Sequence, residues 1–233
     1  MTILEGSVVL VTGANGGLGR EFVEQALARG ASKVYATART PQEWGDPRVV
    51  PLALDVTDEA SIAAAVAAAP DVTVLINNAG IGGGGPISGD LSDLRHIFET
   101  NFFGAIAVAS AFAPVLKANG GGVLMNVHSL LSWLGVAGGY SATKAALWSA
   151  TNSLRLELAP QGTHVIGLHL GYTDTGMTVG VTAPKNDPAD VVRDSYDGLE
   201  AGDYEILADQ GSIATKALLA EPITAMYPQL LAS

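Results

Sequence analysis

A chain of 233 residues, 48% hydrophobic and 15% charged, has the make-up of a globular protein with one sizeable core and is too apolar to be disordered. A net charge of −11 with no basic patch argues against a nucleic-acid partner, and the lack of any cysteine removes disulfides and thiolate metal sites. His96, His128, His164 and His169 have no paired ligand spacing, so no metal is expected.

No basic segment precedes the first apolar run, and no apolar run approaches the length of a membrane span. The expectation is a soluble, cytoplasmic protein with no membrane partner. The first strand reads "SVVLVTG" from residue 7 and runs straight into Gly13, Gly17 and Gly19 at the mouth of the helix "GLGREFVEQALARG". Glycines in a strand-turn-helix setting let the backbone approach a pyrophosphate resting on the unpaired N–H groups of the helix start. The alternative is merely a tight turn.

The second strand, "KVYATA" from 33, ends in Ala38-Arg39-Thr40 with no acid to bind ribose hydroxyls. Arg39 suits a 2′-phosphate, which favours NADP(H) over NAD(H); otherwise it is a solvated surface arginine. Further buried strands follow at "VVPLAL" from 49, "VTVLIN" from 72, "GVLMNVHS" from 122 and "HVIGLHL" from 164. Between them lie the helix "DEASIAAAVAAA" and the long helix "LRHIFETNFFGAIAVASAFAPVLKA".

The stretch "GYSATKAA" puts Tyr140 and Lys144 on one helical face, where they share a site or simply frame a snorkelling lysine. Residues 171–188 are rich in Gly, Thr and Pro and long for a connection, which points to a lid; a helix and an edge strand, "YEILAD", follow. Alternation of β and α segments predicts an α/β, Rossmann-like, doubly wound and mostly parallel sheet in three layers, forming a single domain over 1–233.

"TGANGGLG" at 12–19, "LDV" at 54–56, "NNAG" at 77–80, Asn101, Ser129 and "YSATK" at 140–144 occur in an order that resembles the classical short-chain dehydrogenase/reductase family over roughly residues 5–210. The resemblance implies that Tyr140 is the general acid/base and that Lys144 makes it more acidic while binding the nicotinamide ribose. It further implies that Ser129 holds the substrate oxygen and that Asn101 links Lys144 to solvent through water. The cofactor contacts it implies are Gly13, Asn15, Gly17, Leu18, Gly19, Arg39, Asp55, Val56, Asn78, Ala79, Gly80, Gly171, Thr173 and Thr175, besides Tyr140 and Lys144.

Two features depart from the family pattern. The segment between Ser129 and Tyr140 is shorter than the pattern expects, and Leu170 stands where a proline usually precedes the glycine. Ser132 is a rival hydroxyl to Ser129.

Ile81, Leu131, Trp133, Leu134, Tyr172 and Met177 are candidate pocket residues suiting an apolar or aryl carbonyl compound, though each would equally suit a core. The run Gly82–Gly85 suggests a mobile rim. The expectation is an NADP(H)-preferring oxidoreductase interconverting a small-molecule aldehyde or ketone and its alcohol, paired as a homodimer or homotetramer through helices near 104–118 and 141–158. The alternative is a non-catalytic NADP(H) sensor; a serine hydrolase is disfavoured because no GxSxG is present.

Overall fold

Residues 3–231 are described in a computed structural model of the chain. Seven strands form one sheet: β1 (Val8–Thr12), β2 (Lys33–Ala38), β3 (Val49–Ala53), β4 (Val74–Asn77), β5 (Val123–Val127), β6 (His164–His169) and β7 (Glu205–Leu207). Their order is β3-β2-β1-β4-β5-β6-β7, and every neighbouring pair is parallel. The chain builds outward from β1 to β3, then crosses back to start the other half at β4. That reversal opens a crevice beyond the carboxyl ends of β1 and β4, where such sheets bind ligands.

Helices cover both faces because successive side chains of a strand point to opposite sides. On one face, Val9, Val11, Ile76, Met125 and Ile166 pack under α1 (Leu18–Ala28) and α6 (Pro188–Ala201). The ring of Tyr196 sits edge-on to Phe22, with centroids 5.5 Å apart, and its hydroxyl donates to the Phe22 carbonyl at 2.7 Å. On the other face, Leu10, Leu75, Leu124 and Val165 meet α2 (Glu59–Ala68), α4 (Ala105–Ala118) and α5 (Gly139–Leu158). Asp58, Asp90 and Asp187 cap α2, α3 (Leu91–Phe98) and α6, each accepting a backbone N–H at 2.8–2.9 Å.

Three local readings of the sequence change. "VVPLAL" is an edge strand with alternating partial exposure, not a strand buried on both faces, and an edge tolerates Pro51. The single long helix expected before β5 is α3, a π-helical turn over 99–104, and α4. The π turn widens the helix and rotates Asn101 inward. Gly104 in this turn lies so close to the chain at Val56 that a Cβ would come within 2.8 Å of a Val56 methyl.

Helical residues 91–118 together are long and apolar enough to cross a membrane, a length the sequence runs did not suggest. Here Val108, Phe112 and Leu116 of that stretch are fully buried against the sheet. After β7 come α7 (Gln210–Ala217) and short turns reaching residue 231, all beyond the span of the family resemblance.

Phe112 fills the centre of the second core with no exposed surface. Phe112→Ala is expected to cost about 3–5 kcal/mol, read as a lower urea midpoint at unchanged m-value; a shift worth under about 1 kcal/mol would contradict this core assignment.

Candidate active site

The glycine-rich turn leaves β1 through Gly13 and Gly17, both at positive φ (68° and 54°), where side chains are strained. A Cβ at Gly19 would lie 2.1 Å from the Gly13 carbonyl oxygen, so the turn closes only with glycine there. No side chain caps α1, and Gly13, Gly16, Gly17 and Leu18 line the adjoining cleft. A bare helix N-terminus with no Cβ in the way fits the pyrophosphate of a dinucleotide. Thr12 steadies this floor by accepting from the Asn78 and Ala79 N–H groups at 2.9 Å, while the Asn78 amide donates to the Thr12 and Gly13 carbonyls.

The main cleft, about 1630 Å³, extends from this turn to Ser129, Tyr140 and Lys144 and out under residues 171–181. A second cleft of about 640 Å³ shares Gly13, Ala79, Gly80 and Ile81 with it and is lined by Asn15, Arg39, Asp55, Val56 and His96. Arg39 stands at the end of β2. Asp55 accepts from the Thr57 N–H and hydroxyl, which hold its carboxyl below the ordinary range, and the Arg39 charge acts the same way. The Asn15 side chain donates to the Thr40 carbonyl at 2.8 Å and so joins the glycine turn to the end of β2.

Tyr140 opens α5 almost directly across from the end of β5. Burial pushes its hydroxyl up to about 12, and a hydrogen bond with the Ser129 side chain pulls the other way. Ser129 Oγ also accepts from the Leu131 N–H at 3.1 Å and faces the Leu170 carbonyl at 3.4 Å. Its rival Ser132 is buried, its hydroxyl without a hydrogen-bond partner and outside the cleft lining, while its backbone N–H donates to the Ser129 carbonyl at 3.0 Å.

Lys144 Nζ donates to the Val127 carbonyl at 2.8 Å and lies 5.7 Å from the centre of the Tyr140 ring. Burial alone moves its ammonium down to about 8. Burial thus acts on the pair in opposite senses, raising the phenol of Tyr140 and lowering the ammonium of Lys144.

Asn101 packs behind the segment that follows β4. Its Oδ1 accepts from the Ile81 N–H, and its amide donates to the Ile81 carbonyl, both at 2.8 Å, with Thr143 Oγ1 at 3.3 Å. The side chain is occupied in pinning the strand that leaves β4, and it does not line the cleft. Trp133, expected in the pocket, is buried in the core, stacked on His169 at 4.0 Å and edge-on to Trp148. Gly19 lies behind the cleft wall; the other expected residues line one cleft or the other.

Part of the glycine run 82–85 packs against α5 and α3. The Gly139 N–H donates to the Gly85 carbonyl at 2.9 Å, and a Cβ on Gly84 would meet Ile97 at 2.7 Å. Gly138, at φ 53°, leaves no room for a Cβ against Gly85. The shortened segment before Tyr140 runs as two 3-10 turns, and from it Leu131, Leu134 and Val136 face the cleft.

Two residues beyond the sequence expectations hold this frame. Asp209 accepts from the Gly171 N–H at 2.5 Å, from the Asn186 side chain at 2.9 Å and from the Ser212 N–H at 2.7 Å, tying both ends of the lid to the start of α7. Tyr227 accepts the Gly135 N–H at 2.8 Å, so the C-terminal turns brace the substrate loop from outside. The lid closes at its neck through Thr173 and Asn186, and Thr175 packs on Gly17. Asp209 is the acid directly before α7 and caps that helix through the Ser212 N–H.

Comparison with known proteins gives a consistent picture. A family model for short chain dehydrogenase matches residues 7–186. The chain is 32% identical to the ketoacyl reductase HetN of Nostoc sp. over 94% of its own length and 85% of that protein. It is also 32% identical to an NADPH-dependent 1-acyldihydroxyacetone phosphate reductase of Schizosaccharomyces pombe, over 96% of this chain and 78% of that one. Among solved structures, a short chain dehydrogenase from Burkholderia cenocepacia in complex with NADP superposes with a TM-score of 0.92 at 38% identity, covering 99% of this chain and 100% of that one.

Because the folded Lys144 gives up its proton near pH 8 and an unfolded lysine near 10.5, its burial penalty is fully present below pH 8 and fades as pH rises to 10.5. Wild type should therefore gain about 2 kcal/mol on Lys144→Met between pH 7 and pH 10, measured as the difference between their urea unfolding curves. A pH-independent difference would show that Lys144 is not buried as a cation.

Proposed function

This chain belongs to the short-chain dehydrogenase family, and on that footing we propose that it is an NADP(H)-preferring reductase of apolar or aryl aldehydes and ketones, running in reverse on the alcohols. The observation that carries the reading is the meeting of Ser129, Tyr140 and Lys144 in one cleft continuous with the uncapped, glycine-lined start of α1. The nicotinamide, when bound, supplies or takes up the hydride. The Ser129 hydroxyl orients the substrate oxygen, and Tyr140 passes a proton to it or receives one from it.

With its pKa raised to about 12 by burial, the Tyr140 phenol is protonated at neutral pH, the form that can give a proton to a carbonyl oxygen. Lys144, mostly protonated at neutral pH and fixed by the Val127 carbonyl, presents a cation to ribose hydroxyls. Asn101 acts at one remove by holding Ile81 on the cleft wall.

The substrate end is lined by Ile81, Ile87, Leu134, Val136, Met177 and Val181, and Lys144 is the only lysine or arginine lining that cleft. This supports a neutral apolar substrate over one carrying a carboxylate or phosphate. For the cofactor, the preference for NADP(H) rests on Arg39 directly after β2, where an acid would otherwise bind the ribose hydroxyls; of the two acids lining the second cleft, Asp55 is engaged with Thr57 and Glu99 lies on the π-helical turn. We also propose pairing of two copies through α4 and α5, supported by Leu156 and Phe103, which are 80% and 53% exposed.

Consumption of NADPH with a panel of aldehydes and ketones tests the whole reading, and Tyr140→Phe should lower kcat by about a thousandfold at unchanged melting temperature. NADPH binding without turnover across the panel would turn the reading toward a cofactor sensor. Cofactor choice is separable: Arg39→Asp should raise the KM for NADPH about tenfold or more while leaving that for NADH within about threefold. Equal effects on the two would refute the arginine's role.

A further inference from the structure

Behind Ser129, on the side away from the cleft, lies a buried polar assembly that the chemistry above does not use. His169, at the end of β6, has no exposed surface. One face of its ring stacks on Trp133 (4.0 Å between centroids, 14° between planes), and the ring of His128 lies 4.8 Å away. Its Nδ1 is 3.1 Å from the Ser129 carbonyl oxygen, and its Nε2 is 3.4 Å from Glu205 Oε1, an ion-pair distance and not a well-aligned hydrogen bond. Glu205 also accepts from Trp148 Nε1 at 2.9 Å and from Lys216 Nζ.

The proton count on His169 follows from these partners. A peptide carbonyl only accepts, so Nδ1 carries hydrogen. Glu205 is ionised: the neighbouring His169, Lys216 and Trp148 together hold its carboxyl down to about 2. A carboxylate also only accepts, so a bare Nε2 would set one lone pair against another inside the protein. A proton on Nε2 gives instead an imidazolium paired with a carboxylate and stacked on an indole face.

The neighbouring histidine differs. Thr151 gives its proton to the Leu147 carbonyl, so it accepts from His128 Nε2–H, and burial keeps His128 neutral. The groups that set the charge here therefore come from four elements: Glu205 on β7, Lys216 on α7, His128 after β5, and Lys144 and Arg155 on α5, both of which act on His128.

We propose that Glu205 and His169 form a buried carboxylate–imidazolium pair that positions Ser129, with His169 Nδ1–H donating to the Ser129 carbonyl and so fixing the backbone from which the Ser129 hydroxyl reaches Tyr140. His169 and Glu205 are positioning residues that touch no substrate or cofactor. The proposal rests on Ser129 acting as described under the proposed function. It adds that the serine is held from behind by a charged pair spanning β5, β6 and β7.

Two measurements on the full-length protein with NADPH bound test it. In ¹⁵N-histidine spectra, with the His169 signals assigned by their loss in His169→Asn, both ring nitrogens of His169 should resonate as protonated at pH 7.5, and Glu205→Gln should return one to the unprotonated position. A bare nitrogen on His169 in the unaltered protein overturns the pair. This readout needs no turnover, so it stands even if the panel of carbonyls finds no substrate and the functional reading itself falls.

In kinetics, His169→Asn keeps an N–H donor for the Ser129 carbonyl and should hold kcat within about threefold. His169→Leu should lower kcat about tenfold or more, with the KM for NADPH within about twofold. Equal kcat for the two variants, or loss confined to the KM for NADPH, overturns the positioning role. If His169→Leu does not fold, His169→Phe, which keeps a flat ring for stacking on Trp133 but has no N–H, takes its place with the same expected kcat loss and the same unchanged NADPH KM, and an unaltered kcat there overturns the role.

Discussion

The carboxyl end of β5 is the point on which the site depends. Over three residues its backbone offers the Val127 carbonyl to Lys144, buries the neutral His128 against α5, and presents Ser129 toward Tyr140. A strand buried between two neighbours and under two layers of helix cannot shift without breaking both ladders, so the position of these groups is inherited from the sheet. Gly167 on β6 belongs to the same constraint. A Cβ there would crowd His128 and Arg155 at 3.0–3.1 Å, which explains a glycine in the middle of an interior strand.

Dryness shapes the chemistry at this point. The same burial raises the phenol of Tyr140 and lowers the ammonium of Lys144, drawing their proton affinities closer together than in water. The protein stores an electrostatic cost in the cleft wall, offset by two well-packed cores and by backbone carbonyls aimed at the cation. Asn101 shows the economy of the arrangement, since the π turn that breaks α3 from α4 lets one amide hold both hydrogen-bonding groups of Ile81.

Much of this was legible in the sequence. All seven strands were marked by apolar runs, because a parallel sheet covered on both faces writes continuous hydrophobicity into the chain; only β3, at an edge, was misjudged in its burial. The glycine turn and the Tyr140–Lys144 spacing are local and could be read from spacing alone. Trp133 was misplaced because an indole near the right position in sequence points to the core or to the cleft according to its tertiary neighbours, here His169. The composition of glycines 82–85 is silent on the close backbone approach of Gly138 and Gly139. Asp209 and Tyr227 act over 38 and 92 residues of separation, a range at which no periodicity carries information.

The hydroxyl of Tyr227 on the Gly135 N–H has an evolutionary consequence. Leu134 and Val136, which flank that amide, face the cleft, while the residue that sets their backbone lies in the last turns of the chain. A lineage can therefore drift in substrate taste by altering its tail alone, leaving every reacting group untouched. Substitutions in the last turns can reshape the wall of the cleft without touching Ser129, Tyr140 or Lys144.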